Sequence, residues 1–343
     1  MSANSQVFAH QRETVLALSR FFDSIEVFTS EVDSNPLPKN VKVNIIPWDS
    51  QSRVKNGLRI LQLIVPVLVR NRESVIFSHM TDVHAAIISP LAWLLKIRHV
   101  LWYAHATNSR YLVWSSFFVS RIVSSTQGSC NLKFNRGKIS FIDQGIDQNV
   151  FTFKPRFNLN RNSILYYGRL DPSKNIHVFP ELINALKHSQ AKYSLDIFGK
   201  PTGSSNEKYL LEVSKSIEAI GLNSSIFLHP PIRRSQIPVQ SMEYDLFINL
   251  FVGSLDKSLI EATFLGLPVV TWNLEYCLQF GTWSGAPTSQ TIDFILLEFA
   301  AIRSMASNQL SRELKRRFDL AVELHSFVGW IRRLVGILQE GKA

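Results

Sequence analysis

The chain has 343 residues, an apolar fraction of 45% and a formal net charge of +10. This length predicts two domains of ordinary size, and the apolar fraction is sufficient for packed cores. The positive charge favours an anionic partner such as nucleic acid, a membrane surface or a phosphorylated ligand. The two cysteines, Cys130 and Cys277, exclude a disulfide framework and a cysteine-based zinc site, and they fit a reducing cytoplasm.

No apolar stretch in the sequence is long enough to span a bilayer, because the longest, Ile60 to Val69, is short and is interrupted by Gln62. The first thirty residues are polar or amphipathic, unlike a secretory signal. We therefore expect a cytoplasmic protein. Residues 53–72 give a helical pattern with an apolar body and basic ends, which fits a core helix or a helix at the inner face of a membrane.

Strands and helices alternate through the first half of the chain, which predicts a parallel sheet with helices on both faces. The first helical pattern begins at Val7. The predicted elements that follow are strands at 24–29 and 41–46, the helix at 53–72, a strand at 74–78, a helix at 82–95 with a kink or break at Pro90, a strand at 99–103, a helix at 111–123, and strands at 121–125 and 138–142.

The start of the sequence departs from this pattern, because an α/β domain usually opens with a strand and here a helix comes first. We therefore expect the natural gene to encode further residues upstream of Met1 that form an apolar strand and a short loop. We also expect the chain with that strand to melt at a higher temperature than the chain without it.

The second half of the chain repeats the alternation. Residues 143–162 are polar and rich in turns, and they predict a linker. The elements predicted after it are strands at 164–167, 193–198, 225–228, 245–250 and 268–272, and helices at 175–188, 206–220, 234–241, 257–266, 292–306 and 309–338. We predict an N-terminal domain at 1–157, lacking its first strand, and a second domain at 158–318. A C-terminal helix at 319–343 should pack back on the first domain, because its apolar stripe needs a surface to cover.

Two cations follow the first strand of the second domain. Arg169 and Lys174 lie in the turn between that strand and the next predicted helix, where backbone N–H groups and a positive helix end favour an anion. Such a turn makes a seat for a diphosphate, with each charge-assisted contact contributing roughly 1.5–3 kcal/mol. We expect both side chains to be exposed. The alternative is an ordinary turn with two solvated cations.

A second informative stretch is 245–270, where a strand is followed by a loop of small and polar residues and a helix that begins near Asp256. Glu261 lies in the first turns of that helix. A buried carboxylate there is suited to accept hydrogen bonds from the hydroxyls of a sugar. The alternative is that Glu261 complements the helix dipole.

Three histidines are placed to line a cleft between the domains. His79 and His105 follow strands of the first domain, and His10 lies near its opening loop. The sequence contains no D-x-D or H-x-x-x-H spacing, so we predict no metal site. Nucleic-acid binding is supported by net charge alone.

Four motifs occur in register: GID at 145–147 followed by Phe151, GRLDPSKN at 168–175, LDIFG at 195–199 and DKSLIEATFLGLPVV at 256–270. Together they resemble family-4 retaining glycosyltransferases of the GT-B fold over nearly the whole chain, from His10 to Trp330. The resemblance implies two Rossmann-like α/β domains facing each other across a cleft. It also implies an NDP-sugar donor held mainly by the second domain, an acceptor held mainly by the first, retained anomeric configuration and no essential metal or cofactor.

The resemblance also implies roles for individual residues. Arg169 and Lys174 match the pair that binds the donor diphosphate. Glu261 matches the second acid of the E-x7-E motif, which contacts the donor ribose, and His105 resembles the histidine that approaches the donor sugar. The predicted donor-binding set comprises Gly168, Gly199, Ser254, Asp256, Lys257 and Ser258. His10 and His79 are the candidates on the acceptor side.

The sequence departs from the motif at Gly253, where the first acid of E-x7-E would fall. With Asp256 and Lys257 nearby, it resembles polysaccharide-type transferases at this point. We therefore expect a hexosyltransferase that acts on a saccharide or polyprenyl-linked acceptor in surface polysaccharide or glycolipid synthesis. The inner-leaflet surface is a candidate partner, supported by aromatic residues of the first domain, among them Trp93, Trp102, Trp114, Phe117 and Phe118. The alternative is an inactive GT-B protein that serves as a binding or scaffold subunit.

Overall fold

The computed structural model describes residues 9–32, 34–46, 52–105, 107–187 and 192–340. Val7 and His188, at the ends of two predicted helices, lie outside these residues. The chain divides into two compact units, of which unit 1 comprises 1–143 with 328–343 and unit 2 comprises 144–327. Within the described residues, no helix is long and apolar enough to cross a membrane.

Unit 1 contains two parallel sheets, one of two strands (β1–β2) and one of four strands in the order β3-β4-β5-β6. Its elements are α1 (Ala9–Leu18), β1 (Ile25–Thr29), β2 (Val41–Ile45), α2 (Arg53–Arg70), β3 (Val75–His79), α3 (Asp82–Leu94), β4 (Arg98–Trp102), α4 (Arg110–Phe118), β5 (Arg121–Ser124), β6 (Ile139–Phe141) and most of α12 (Phe327–Gln339). Helix α3 continues through Pro90, so a break of the helix there is wrong.

Helix α2 supplies part of the core of unit 1. Its apolar residues Ile60, Ile64 and Leu68 are buried in a cluster with Ile88 of α3 and Ile97. The face of α2 that carries these three residues therefore belongs to the core, as one of the two alternatives from the sequence predicted.

The histidine in the middle of unit 1 cannot easily carry a charge. His99 of β4 is fully buried, and its Nε2 lies 2.9 Å from the Ser78 hydroxyl on the adjacent strand β3. Burial lowers the pKa of His99 from 6.5 to about 4. The unfolded chain therefore binds this proton more readily than the folded chain, and stability decreases as the pH falls from about 6.5 towards 4.

We expect acidification from about pH 7 to about pH 4 to cost roughly 3 kcal/mol of unfolding free energy through His99, since one pKa unit corresponds to about 1.4 kcal/mol. The measurement is denaturant unfolding at both pH values for the wild type and for His99→Gln, which keeps a polar side chain but does not titrate. The variant should lose less stability on acidification. Equal losses in the two proteins would contradict the prediction.

Unit 2 is built on one parallel sheet of five strands in the order β11-β10-β7-β8-β9. Its elements are β7 (Ser163–Arg169), α5 (Phe179–Lys187), β8 (Ser194–Lys200), α6 (Ser204–Ala219), β9 (Ile226–His229), α7 (Ile237–Gln240), β10 (Leu246–Ile248), α8 (Lys257–Phe264), β11 (Val269–Val270), α9 (Leu274–Phe280), α10 (Ile292–Ser304) and α11 (Ser307–His325). The central strand β7 is buried over residues 163–167. The carboxyl ends of parallel strands share one edge of the sheet, and the candidate site lies there.

The predicted continuous helix at 309–338 is wrong, because the chain leaves the helical conformation at Ser326 (φ −62°, ψ 141°). The backbone of this corner pairs with Ile146 instead: the Ile146 N–H donates to the His325 carbonyl and the Phe327 N–H donates to the Ile146 carbonyl, each at 2.8 Å. The hydrogen bonds to Ile146, which is distant in sequence, therefore accompany the end of α11 and the start of α12.

Residues on both sides of the predicted domain boundaries pack within the units. Ile146 and Phe151, in the segment predicted as a linker, are buried within unit 2. In unit 1, Trp330 of α12 is buried against Trp102, with 5.2 Å between the ring centroids. Packing does not test which residues fold independently, so the boundaries after residues 157 and 318 stay predictions.

Candidate active site

The two predicted cations lie at the end of β7 and in the turn that follows it: Arg169 is the last residue of the strand, and Lys174 is in the turn. Asp171 begins a 3₁₀ turn at Pro172–Lys174, and its carboxylate accepts a hydrogen bond from the Ser173 N–H at 3.1 Å. Asn175 follows with a positive φ of 53°, which asparagine tolerates better than most residues. The predicted helix start at 175 is wrong, because α5 begins at Phe179. Lys174 therefore lies in a 3₁₀ turn and not at the first turn of an α-helix, and Arg169 ends the strand before it.

Arg169 and Lys174 occupy different environments. The Arg169 side chain is 63% exposed, and its guanidinium lies 3.6 Å from the Asp171 carboxylate. The expectation that Lys174 is exposed is wrong, since its side chain is only 7% exposed. Its ammonium lies 2.5 Å from Asp256 Oδ2 and 3.8 Å from the centroid of the Phe251 ring. Lys174 is therefore held in place by a carboxylate and an aromatic face.

Asp256 is both the N-cap of α8 and the partner of Lys174. Its carboxylate accepts hydrogen bonds from the Ser258 N–H and from the side-chain amide of Asn249, at 3.4 and 3.0 Å. Burial alone would raise the pKa of Asp256, but the Lys174 ammonium and the hydrogen bonds outweigh burial and hold the pKa below its usual value. Asp256 is therefore a carboxylate at neutral pH.

Asn249 connects the strand end to the helix start. Its amide nitrogen donates to Asp256 and to the Ser258 hydroxyl (2.9 Å), and its oxygen accepts from the Phe251 N–H (2.9 Å). Asn249 is almost fully buried. Asn249 was not among the residues predicted from the sequence, although an amide at the end of an apolar strand indicates a polar contact there.

Glu261 is buried on α8 and pairs with Arg234, whose Nε lies 3.1 Å from Glu261 Oε1. Burial raises the pKa of Glu261 above its usual value, against the opposing influence of Arg234 and Lys257, the partly exposed first residue of α8. The guanidinium of Arg234 also lies over the Phe151 ring, 5.2 Å from its centroid. Nothing local in the sequence marked Arg234, because its partner lies on another element.

The loop between β10 and α8 is held by Asn273. The side-chain amide of this buried residue donates to the carbonyls of Phe251, Gly253 and Ser254 at 3.1 to 3.2 Å. A Cβ atom added at Gly253 would lie 2.2 Å from the Phe251 ring, which itself covers Lys174. The missing acid of E-x7-E thus coincides with a position whose space is occupied by Phe251.

Gly168 and Gly199 pair with each other across β7 and β8. A Cβ atom added at Gly199 would lie 2.1 Å from the Gly168 carbonyl oxygen, so no larger residue fits there without moving the backbone. The close approach of the two strands keeps their ends beside the turn that follows Arg169.

In unit 1, the structure brings two of the three predicted histidines together. The ring of His10 lies 6.0 Å from that of His79 and 5.4 Å from that of Trp330. His79 stacks on Trp102 at 5.9 Å, with 11° between the ring planes. His105 is exposed, and its ring lies 5.4 Å from that of Tyr103.

Within the parts of the chain that the structure describes, no group of three His, Cys, Asp or Glu side chains is arranged to hold a metal ion. Site assignments from the sequence stay predictions. The structure groups Lys174, Asp256 and Ser258, and it places Ser254 on the loop that Asn273 holds.

Comparison with known families gives one match. Residues 147–279 match the family described as "Glycosyl transferases group 1". This segment contains all of the predicted site residues of unit 2, and the match confirms the resemblance to group 1 glycosyltransferases. The family-4 subclass stays a prediction. No curated protein matches the sequence.

Several solved structures share the fold. Sucrose-phosphate synthase from Thermosynechococcus elongatus has a TM-score of 0.75 at 11% identity, covering 98% of this chain and 93% of that one. Anabaena HepE in complex with UDP and glucose has a TM-score of 0.72 at 14% identity, covering 96% and 95%. A glycosyltransferase from Rickettsia africae has a TM-score of 0.74 at 12% identity, covering 99% and 96%. These likenesses confirm the GT-B fold predicted from the sequence.

Proposed function

Because residues 147–279 match the glycosyl transferases group 1 family, we propose that the protein transfers a sugar from a nucleoside diphosphate sugar to an acceptor hydroxyl. The observation that carries the proposal is the pair of cations at the end of β7 and in the turn after it. Arg169 is exposed, and Lys174 is fixed between Asp256 and Phe251. The acceptor is a saccharide or a lipid-linked saccharide, and the anomeric configuration is retained.

The proposed role of the two cations follows from the charge that develops in the reaction. As the bond between the sugar and the diphosphate breaks, negative charge accumulates on the leaving diphosphate, and preorganised positive groups stabilise it. The exposed guanidinium of Arg169 is free to approach two phosphate oxygens in a bidentate manner. Lys174 forms an ion pair with Asp256, so we assign it to fixing the turn and to placing its positive charge beside the leaving diphosphate.

Glu261 is proposed to bind the vicinal hydroxyls of the donor ribose. A carboxylate accepts hydrogen bonds, and Arg234 at 3.1 Å favours the ionised form and limits its rotation. The donor is also proposed to contact three residues around the start of α8: Ser254, Lys257 and Ser258. Gly168 and Gly199 have no side chain, and we propose that this lets the donor approach the backbone. The predicted acceptor side consists of His10 and His79, and His105 is proposed to approach the donor sugar.

The ligands named for structures of this fold indicate which donor to test first. HepE is described in complex with UDP and glucose, TarM of S. aureus with UDP and α-GlcNAc-glycerol, and the pneumococcal O-GlcNAc transferase GtfA with UDP and GlcNAc. These ligands support a uridine diphosphate sugar as the donor and a saccharide acceptor. No observation supports the alternative of an inactive scaffold. The two free cysteines fit the proposed cytoplasmic location.

The proposal is tested by thermal shift against a panel of NDP-sugars, with free nucleotides and free sugars as controls. A donor present at 100 times its Kd should stabilise unit 2 by about 2.7 kcal/mol through mass action. Hydrolysis or transfer of the sugar by the stabilising donor would then establish activity. Absence of any shift or turnover over the whole panel would refute the proposal.

We expect transfer to be independent of divalent metal, because the sequence lacks D-x-D and Arg169 and Lys174 occupy the role that a divalent ion fills in other transferases. The measurement is the initial rate with excess EDTA and with added Mg²⁺ or Mn²⁺. The rates should agree within about twofold. Loss of a catalytic ion would lower the rate far more, because such an ion contributes several kcal/mol to transition-state stabilisation. A rate abolished by EDTA and restored by either ion would contradict the prediction.

A further inference from the structure

Unit 1 exposes a contiguous set of large apolar side chains on α3 and α4. We define the aromatic patch as Trp93, Leu94, Trp114, Phe117 and Phe118. Phe118 joins the two helices, since its ring lies 6.1 Å from that of Trp93 and 5.0 Å from that of Trp114. The other four members are between 52% and 70% exposed. Large exposed apolar patches on a folded surface mark interaction sites.

The patch continues into the loop before β6. Phe134 in this loop is 66% exposed. Its neighbour Asn135 donates to the Ser116 hydroxyl of α4 at 3.0 Å, and Lys138 donates to the Phe117 carbonyl at 3.2 Å. These bonds hold the loop against the end of α4, so Phe134 extends the same apolar surface.

The charged side chains of the segment that forms the patch are all basic. Between Asp82 and Asp143 the sequence contains no aspartate or glutamate, but it has seven basic residues: Lys96, Arg98, Arg110, Arg121, Lys133, Arg136 and Lys138. Arg98 and Arg121 pair with Glu340, the residue directly after α12. Lys96, Lys133 and Arg136 are exposed beside the patch.

We propose that the aromatic patch and its basic rim dock on an anionic lipid surface, with the rings at the level of the headgroups. Tryptophan is enriched at membrane–water interfaces, and each Lys or Arg near an anionic leaflet adds to binding. A second copy of the chain is disfavoured as the occupant, because a symmetric contact would bring two basic rims together. The proposal places the membrane contact on α3 and α4 and not on α2. It does not depend on the transferase activity.

The aromatic patch differs in exposure from other residues that the sequence suggested for a membrane contact. Ile60, Ile64 and Leu68 of α2 are buried in the core, so that face is not available to lipid. Trp102 is also buried, beneath His79 and Trp330. Of the aromatic residues predicted to support a membrane contact, Trp93, Trp114 and Phe117 lie at the surface. Helix α2 also exposes Leu58, Leu63 and Val69, but it has no aromatic side chain.

The first test is sedimentation of the full chain with vesicles of phosphatidylcholine alone and of phosphatidylcholine with phosphatidylglycerol. We expect binding to the anionic vesicles to be at least about tenfold stronger, and to weaken as salt is added. Absence of binding to anionic vesicles would overturn the proposal. Binding of an acidic protein by the patch, or formation of dimers through it, in place of vesicle binding would also overturn the proposal.

A matched pair of variants tests the location of the contact. Leu94→Ser/Phe117→Ser removes one leucine and one phenylalanine from the patch. Leu278→Ser/Phe157→Ser removes the same residue types from exposed positions of unit 2, where the side chains are 76% and 50% exposed. We expect about a tenfold or greater loss of vesicle binding in the first variant and none in the second, since binding scales with buried apolar area. Equal losses, or a loss only in the unit 2 variant, would overturn the proposal.

A fluorescence measurement on the wild type does not depend on any variant folding. Brominated lipid in the anionic vesicles should quench tryptophan emission, because Trp93 and Trp114 would insert at the interface. Trp93→Phe/Trp114→Phe should keep most of the vesicle binding and lose most of the quenching. Unquenched emission from vesicle-bound wild type would place the contact elsewhere and refute the assignment.

Discussion

Replacing Arg169 by alanine is expected to lower turnover of the donor by about 10²–10³-fold, the scale for losing one preorganised group that stabilises developing charge. The guanidinium is 63% exposed, and its ion-pair partner in the described residues is Asp171 at 3.6 Å. The fold should therefore survive, because removing an exposed ion pair costs at most about 1 kcal/mol. The measurement is kcat and KM with the donor identified by thermal shift, together with the melting temperature.

The matched control is Arg161→Ala. Arg161 is similarly exposed, at 53%, and pairs with Glu243 at 3.5 Å, but it precedes β7 and so lies at the opposite edge of the sheet. This variant should keep wild-type turnover. In Arg169→Ala, kcat should fall more than KM rises, since the charge develops in the transition state. Wild-type kcat in Arg169→Ala, or equal losses in both variants, would count against the diphosphate role.

The sequence predicted the alternation of strands and helices well, because period and composition are local properties. Strand β7 contains a run of apolar and aromatic residues that is followed by a glycine, and α8 begins directly after a capping aspartate. Helix α9 was missed. It has only seven residues, and Leu274 and Leu278 on its exposed face obscure the apolar period set by its buried residues.

What the sequence could not predict depends on contacts between distant residues. Lys174 was expected in solvent, but its environment is set by Asp256, which lies on another element. Likewise, Arg234 acquires a role only through Glu261, and the end of α11 is set by the backbone of Ile146. Residue type and spacing located the candidate cations and acids, whereas their pairing required the fold.

Replacing Lys174 by alanine is expected to remove activity and to destabilise unit 2 by roughly 3–5 kcal/mol, the cost of breaking a buried ion pair from one side. The change would leave Asp256 largely buried, with Asn249 and the Ser258 N–H as its remaining partners. This expectation follows from the observed burial of Lys174, which the sequence had predicted to be exposed. The measurement is denaturant unfolding alongside turnover.

A paired variant separates the two effects. Lys174→Met/Asp256→Asn removes both charges but keeps the side-chain volumes, and the new amide can still bond to Asn249. Stability should return to within about 1.5 kcal/mol of the wild type, since exchanging a buried ion pair for neutral groups of similar volume is often neutral. Turnover should stay at least about 10²-fold down, because the positive charge is absent. Recovery of turnover in the double variant would refute the electrostatic role of Lys174.

The pH dependence of Lys174→Ala provides an independent check of the ion pair. In the wild type, Lys174 helps to hold the pKa of Asp256 below its usual value, so the pair stabilises the fold at neutral pH and its contribution is lost as the pH falls. Without Lys174, burial dominates and raises the pKa of Asp256, so the variant gains stability on protonation. The difference in melting temperature between variant and wild type should therefore be largest near neutral pH and shrink as the pH is lowered towards about 4. A constant difference over this range would show that the lost stability comes from packing of the lysine stem and not from an uncompensated carboxylate.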